Sequence, residues 1–126
     1  MDERYEKGFE KLSYMHKNSI DNLIESLADI APDLSDFVIK FAYGEIYTRE
    51  GLDLKSREIA TVAALTAMGN SPNQLKSHID GALTVGCSEK EIVEVIIQMT
   101  AYAGFPAAIK AMMVAKEVFE ERKKDD

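Results

Sequence analysis

Two titratable residues, Glu58 and His78, lie in neighbouring predicted helices and could act together in proton transfer. Histidine exchanges protons near neutral pH, and a carboxylate beside it can orient its ring. His78 follows Leu75 by three residues and precedes Ala82 by four, so we expect it near the inward face of its helix. Each residue also has a structural alternative. His78 could be a hydrogen-bonded core or interface histidine, and Glu58 a first-turn carboxylate that stabilises its helix.

Three cations, Arg49, Lys55 and Arg57, fall within nine residues of an otherwise acidic chain. Arginine forms paired hydrogen bonds with carboxylates, so Arg49 and Arg57 are candidates for binding a small anionic substrate. The same window also carries acidic side chains. Solvated ion pairs are therefore the alternative for at least one of these cations.

Three tyrosines, Tyr43, Tyr47 and Tyr102, could line a pocket with apolar rings and hydroxyl donors. Of these, Tyr43 and Tyr47 are our candidate substrate-binding residues. The alternative is that aromatic residues at helical spacing simply pack in the core.

Two further side chains, Cys87 and His16, have reactive groups but a less favourable setting. Cys87 precedes a predicted helix start at Ser88, and a reactive thiol needs an accessible, electropositive environment of that kind. The alternative is a small buried cysteine at a tight turn. His16 lies in a polar stretch and is predicted to be a solvated connector residue.

Helices must position all of these residues, because apolar side chains recur every three or four positions along the chain. Ser71 with Gln74, and Ser88 with Glu91, are spaced as capping boxes at two helix starts. Pro72 and Pro106 suit first helical positions, and Gly69 and Gly86 suit helix ends with positive φ. The pattern predicts an all-α bundle of about six or seven helices in a single domain, residues 1–126.

Composition narrows the class of protein further. The chain has 126 residues, a net charge of -7 and one cysteine. It lacks the basic footprint of a nucleic-acid binder and a long apolar run typical of a membrane span. The usual sequence motifs for nucleotides and metals are also missing, so no cofactor and no metal are expected. We predict a cytoplasmic protein.

The stretch from Tyr43 to Glu58 resembles a known family. It reads YGEIYTREGLDLKSRE, which is similar to the W-G-E-I-W-x-R-x-G-L-D-x-x-x-R stretch of the carboxymuconolactone decarboxylase family. The likeness continues through residues 74–78, 81–83 and 86–92 and ends in 102–108. It covers roughly residues 35–119.

This resemblance implies an all-helical fold like that of alkyl hydroperoxidase D and one of two chemistries. One branch decarboxylates 4-carboxymuconolactone in aromatic catabolism without a cofactor. The other is a thiol peroxidase with a C-x-x-C-x-x-x-H motif, whose cysteines would fall at Ser71 and Gln74 in this chain. Because neither residue is a thiol, we expect a carboxy-lyase in which Glu58 and His78 are catalytic. A thiol-dependent redox protein that uses Cys87 and a non-catalytic helical ligand binder are the alternatives.

Apolar surface also predicts self-association. Residues 59–68 and much of 92–103 are apolar on more than one helix face, and the last helix adds Met112, Met113 and Phe119. One small core cannot enclose all of these faces, and large exposed patches are rare on monomers. We therefore expect a homo-oligomer, and the family resemblance implies a trimer or a hexamer.

Overall fold

All regular secondary structure is helical in the computed structural model, which describes residues 2–16 and 19–125. Of the described residues, 80% are helical, which confirms the predicted all-α class. Within the described part of the chain, no helix combines the length and apolar character needed to cross a bilayer. The chain divides into two compact units, Met1–Asp53 and Leu54–Asp126, which are described in turn.

The first unit contains α1 (Glu3–Met15), α2 (Ile20–Leu27), α3 (Pro32–Phe37) and a π-helix (Val38–Ile46). The second unit contains α4 (Leu54–Met68), α5 (Pro72–Thr84), α6 (Glu89–Gln98), α7 (Thr100–Ala103) and α8 (Phe105–Lys124).

Two glycines let α1 and the π-helix of the first unit approach closely. A Cβ atom at Gly8 would overlap the carbonyl oxygen of Ile39, and one at Gly44 would overlap that of Arg4. The N-terminus of α1 is capped by Asp2, whose Oδ1 accepts a hydrogen bond from Arg4 N at 2.8 Å. Backbone contact without intervening side chains therefore fixes how these two helices pack.

The π-helix departs from the α-helical spacing of three or four residues that the sequence predicts along the chain. Its hydrogen bonds span five residues, and at its end Tyr47 N donates to Ala42 O at 2.9 Å. π-Helical segments are rare and occur often at functional sites. The π-helix carries Tyr43 and is followed by Tyr47, the two tyrosines predicted to bind substrate.

The core of the second unit is built from small and branched side chains on α4, α5, α6 and α8. On α8 the buried face consists largely of Ala108, Ala111 and Ala115, which allow close approach of the neighbouring helices. Ion pairs join α5 to α8 at the surface, where Lys76 contacts Glu117 at 2.9 Å. A packed interior, with ion pairs at its edge, thus holds α5 in place.

Helix ends agree with the sequence at one predicted capping box and differ at the other. Ser88 has extended backbone (φ -84°, ψ 160°), and its hydroxyl accepts from Glu91 N while Glu91 accepts from Ser88 N. The predicted box at Ser71 is wrong. Ser71 has ψ 61° and no side-chain cap bond, and its hydroxyl donates instead to Asn70 Oδ1 at 3.1 Å. Gly69 and Gly86 have the predicted positive φ, 72° and 112°.

The apolar stretch 92–103 is interrupted where the sequence shows no helix breaker. α6 ends at Gln98 and α7 begins at Thr100, whose hydroxyl donates to Ile97 O at 2.7 Å. Gly104, with φ 90°, then ends α7, and Pro106 lies in the first turn of α8, as its position predicts.

Candidate active site

The structure brings Glu58 and His78 into direct contact. Nδ1 of His78 lies 3.0 Å from Glu58 Oε2 and 3.2 Å from Oε1. Glu58 is on α4 and His78 on α5, two helices joined by the short turn at Gly69 and Ser71. The turn reverses the chain, so a residue in the second turn of α4 lies opposite one in the middle of α5.

The two partners differ in solvent exposure. The Glu58 side chain is 0% exposed and the His78 side chain 18%. A carboxylate without water needs a hydrogen-bonding partner, and the imidazole supplies it. α4 begins at Leu54, so Glu58 lies beyond the first three residues of the helix. The helix-dipole alternative for Glu58 therefore loses its basis, and its contact with His78 accounts for its burial.

The chemistry available to this pair follows from its hydrogen bond. An ionised carboxylate only accepts hydrogen bonds, so with Glu58 ionised the donor is His78 Nδ1. That bond fixes the ring orientation and the tautomer, and it stabilises an imidazolium when the ring takes up a second proton. The pair can therefore hold and deliver a proton at Nε2, the ring nitrogen on the side away from Glu58.

Lys55, one turn before Glu58 on α4, forms an ion pair with Glu91 of α6. Its Nζ lies 2.9 Å from Glu91 Oε2. The backbone N–H of Ser88, and then the Lys55 ammonium, hold the pKa of Glu91 below its ordinary value. Of the three clustered cations, Lys55 thus fits the predicted alternative of an ion pair.

Cys87 is buried beside the start of α4. It is 5% exposed, and its thiol donates to Lys55 O at a sulfur–oxygen distance of 3.9 Å. Cys87 also belongs to the apolar core of the second unit. These surroundings match the alternative of a small buried cysteine at a turn.

Tyr43 and Tyr47 form an aromatic pair in the first unit. Their rings stack with centroids 4.9 Å apart and planes 11° from parallel. Tyr43 is buried, and His16 packs edge-on against it with centroids 5.7 Å apart. The prediction that His16 is solvated is wrong, because it is 4% exposed. The signal in the sequence was its position four residues after the apolar Leu12, one residue beyond the end of α1.

The remaining predicted site residues lie in different settings. Arg49 is exposed after the π-helix, where its N–H donates to Ile46 O at 3.2 Å. Arg57 is partly buried and directly precedes Glu58, so their side chains leave α4 in different directions. Tyr102 is 79% exposed on α7, which argues against a role as a core aromatic. Thus Arg57, Glu58 and His78 belong to the second unit, and Tyr43, Tyr47 and Arg49 to the first.

Comparison with known proteins finds relatives that are named as decarboxylases. It is 32% identical over 121 residues to the 4-carboxymuconolactone decarboxylase of Acinetobacter baylyi, an alignment that covers 95% of this chain and 90% of the relative. It is 26% identical over 102 residues to the nitrosuccinic acid decarboxylase of Metarhizium robertsii, covering 81% and 71%.

An uncharacterized 15.0 kDa protein of Paracoccus denitrificans is 32% identical over 99 residues, which cover 78% of this chain and 74% of that protein. The model of the carboxymuconolactone decarboxylase family matches residues 32–117, close to the 35–119 expected from the sequence. The chain therefore belongs to the carboxymuconolactone decarboxylase family.

Proposed function

We propose that this protein is a cofactor-independent carboxy-lyase that acts on a carboxylated lactone or a similarly small anion. The observation that carries the proposal is the contact between the buried Glu58 carboxylate and the partly exposed His78 ring. Two relatives named as decarboxylases support the reaction type. In this proposal His78 transfers the proton, and Glu58 orients the ring and stabilises its charged form.

Decarboxylation requires a place for the electron pair that CO2 leaves behind. When the bond between the carboxylate and its carbon breaks, the pair moves into the conjugated lactone carbonyl and forms an enolate. Protonation of the substrate carbon from His78 Nε2 completes the exchange of CO2 for a proton, and the imidazole regains its proton from solvent. Positioned general acids of this kind contribute about 10²- to 10⁴-fold in rate.

Arg57 is our candidate for the substrate carboxylate within the second unit, because a guanidinium forms paired hydrogen bonds with a carboxylate. Binding the ground-state carboxylate would lower KM without raising kcat. Arg57→Gln should therefore raise KM more than it lowers kcat, and Arg57→Lys should recover part of the loss. Equal KM values for the three proteins would remove Arg57 from the site. The substrate-binding roles of Arg49, Tyr43 and Tyr47 stay predictions.

The direct test is CO2 release by the purified protein from 4-carboxymuconolactone, with nitrosuccinic acid as a second substrate. We expect turnover of a carboxylated substrate by the wild type and a loss of about 100-fold or more in His78→Gln. Glu94→Gln, an amide substitution at an exposed site on α6, is the matched control. Turnover of 4-carboxymuconolactone no faster than in buffer rejects that substrate, and full activity in His78→Gln rejects the mechanism.

A thiol-dependent peroxidase is less well supported. A peroxidatic cysteine must reach its substrate as a thiolate, whereas Cys87 is 5% exposed and packed in the core. Alkylation of Cys87 more slowly than a model thiol at neutral pH would agree with this placement. Faster alkylation would restore the redox alternative.

We also propose that copies of this chain assemble through α8. Phe105, Ile109 and Met113 recur every fourth residue on one face of α8, and each is more than half exposed. Tyr102, on α7, adds a further exposed ring. Such a continuous apolar stripe is typical of a protein–protein contact, and closed symmetric assembly covers it.

Light scattering tests this assembly. A trimer or hexamer would have three or six times the chain mass of 14.0 kDa. Ile109→Glu should lower the mass, whereas Lys90→Glu, an exposed charge change on α6, should not. A wild-type mass near 14 kDa at micromolar concentration would contradict the assembly.

A further inference from the structure

Thr66 is a buried polar residue that the proposed mechanism does not use. It lies on α4, is 1% exposed, and its Oγ1 has no hydrogen-bond partner among the described residues. Thr61 on the same helix donates to Arg57 O at 2.9 Å, and Thr84 on α5 donates to Asp80 O at 3.2 Å. Thr66 thus lacks the bond to the preceding helical turn that these two threonines make.

Thr66 lines a small cavity between α4, α5 and α8. The walls are mostly apolar and include Leu65, Leu75, Ala111 and Val114. The cavity is open to solvent on one side, and its interior admits about one water-sized molecule.

The mouth of this cavity carries polar groups. Lys110 Nζ donates to Gly69 O at 2.8 Å, and both residues line the space. An ammonium has two further N–H donors and a carbonyl oxygen has a second lone pair. A small molecule at Thr66 Oγ1 therefore has further hydrogen-bonding groups among the lining residues.

We propose that this cavity is a specific binding site for one water molecule, held by Thr66 Oγ1. A buried hydroxyl without a partner is unfavourable, and a small apolar occupant would leave it unsatisfied. A buried water typically makes about three hydrogen bonds to polar groups that otherwise lack partners. The size of the interior and the chemistry of Thr66 both select water over a larger ligand. The site is independent of the proposed reaction.

The test is a measurement of nuclear Overhauser effects between water and the methyl groups of Leu75 and Val114. In the wild type we expect negative effects, the sign that distinguishes a bound water from the rapidly exchanging waters of the surface. Thr66→Ser keeps the hydroxyl and should retain them. Thr66→Val removes it and should reduce them at least fivefold. Thr84→Val, which removes an exposed hydroxyl from α5, is the matched control and should leave them unchanged.

Two results would overturn the proposal. One is the absence of water effects at both methyl groups in the wild type, and the other is an unchanged effect in Thr66→Val. Thr66→Ala provides a second removal of the hydroxyl if the valine variant does not fold, and it should show the same loss. Retention of the effects in a folded alanine variant would count against Thr66 as the ligand. None of these readouts depends on decarboxylase activity, so failure here leaves the proposed function untouched.

Discussion

α4 contains two buried polar side chains, Glu58 and Thr66, which differ in their hydrogen-bond partners. Glu58, at 0% exposure, receives a partner from α5, whereas Thr66, at 1% exposure, has none among the described residues. The two lie eight residues apart on one helix and both lie beside α5. Glu58 is thus a buried polar group with a hydrogen-bonding side chain beside it, whereas Thr66 is a buried polar group that lies next to a cavity.

The difference follows the electrostatic demands of the two groups. An unpaired buried carboxylate lowers the free energy of unfolding by several kcal/mol, which is a large part of the stability of a typical domain. An unpaired hydroxyl lowers it by about 1–3 kcal/mol. A water molecule in an adjoining cavity can lower the cost of the unpaired hydroxyl, so no partner side chain is required. The buried carboxylate needs a hydrogen-bonding partner such as His78, and a titratable partner of this kind can also transfer protons.

The largest expected effect is on stability, from separating the buried pair. His78→Leu should lower the free energy of unfolding by about 3–5 kcal/mol, because it leaves Glu58 without its partner in the core. The double variant Glu58→Leu/His78→Leu should recover much of this loss, since no charge then remains to be paired. Urea denaturation of the three proteins gives the values. A double variant less stable than His78→Leu would mean that the pair contributes through packing alone.

The next effect is on activity. Glu58→Gln keeps the shape of the side chain but removes its charge, so the imidazolium is no longer stabilised. We expect kcat to fall by about 100-fold, within the range for positioned proton transfer, while the circular dichroism spectrum stays unchanged. Steady-state kinetics with Glu94→Gln as control measure this. Unchanged kcat in Glu58→Gln would separate the pair from catalysis.

A smaller effect is expected at the other end of α4. Thr66→Val should change the free energy of unfolding by less than about 1 kcal/mol, because it removes a hydroxyl together with its need for a partner. Urea denaturation of Thr66→Val and His78→Leu under the same conditions gives free energies of unfolding that can be compared directly. A loss of stability in Thr66→Val as large as that expected for His78→Leu would show that Thr66 has a strong hydrogen-bond partner. It would contradict the difference described here between Thr66 and Glu58.

The smallest effect concerns an exposed charge near the same helix. Ser88 N–H first, and Lys55 second, hold the pKa of Glu91 below its ordinary value of 4.5. The stabilisation from Glu91 is therefore complete above its unfolded-state pKa and is lost as pH falls through the lowered folded-state pKa. Carbon-13 titration of Glu91 should give a midpoint below 4.5, and Lys55→Met should raise it only partly. A full return to 4.5 in that variant would make Lys55, not the cap, the main cause.

Much of the fold could be predicted because helices leave a local signal. The spacing of Ser88 and Glu91 predicts a cap that the structure contains, and Gly69 and Gly86 end helices as expected. The π-helix and the interruption at Met99 left no such signal, since apolar residues continue through both. Ser71 has the residue type of a cap, but its backbone angle turns its hydroxyl towards Asn70.

The candidate site could be predicted in part for a related reason. A short turn between two helices brings their sides together, so the contact of Glu58 with His78 was within reach of the sequence. The burial of Glu58 and the cavity at Thr66 depend on how several helices pack, α8 among them, which a pattern of residue types does not determine. His16 shows the same limit, since its surroundings include Tyr43, which is distant in sequence.

The central claim is that the Glu58 carboxylate accepts a hydrogen bond from the protonated Nδ1 of His78. This bond leaves Nε2 as the nitrogen that transfers the proton. Nitrogen-15 NMR of the His78 ring, correlated through its carbon-bound protons, reads the protonation of each nitrogen directly. We predict a protonated Nδ1 in the resting protein. An unprotonated Nδ1 that accepts a hydrogen bond from Glu58 would mean that the carboxyl group holds the proton, and it would contradict the proposed roles of both residues.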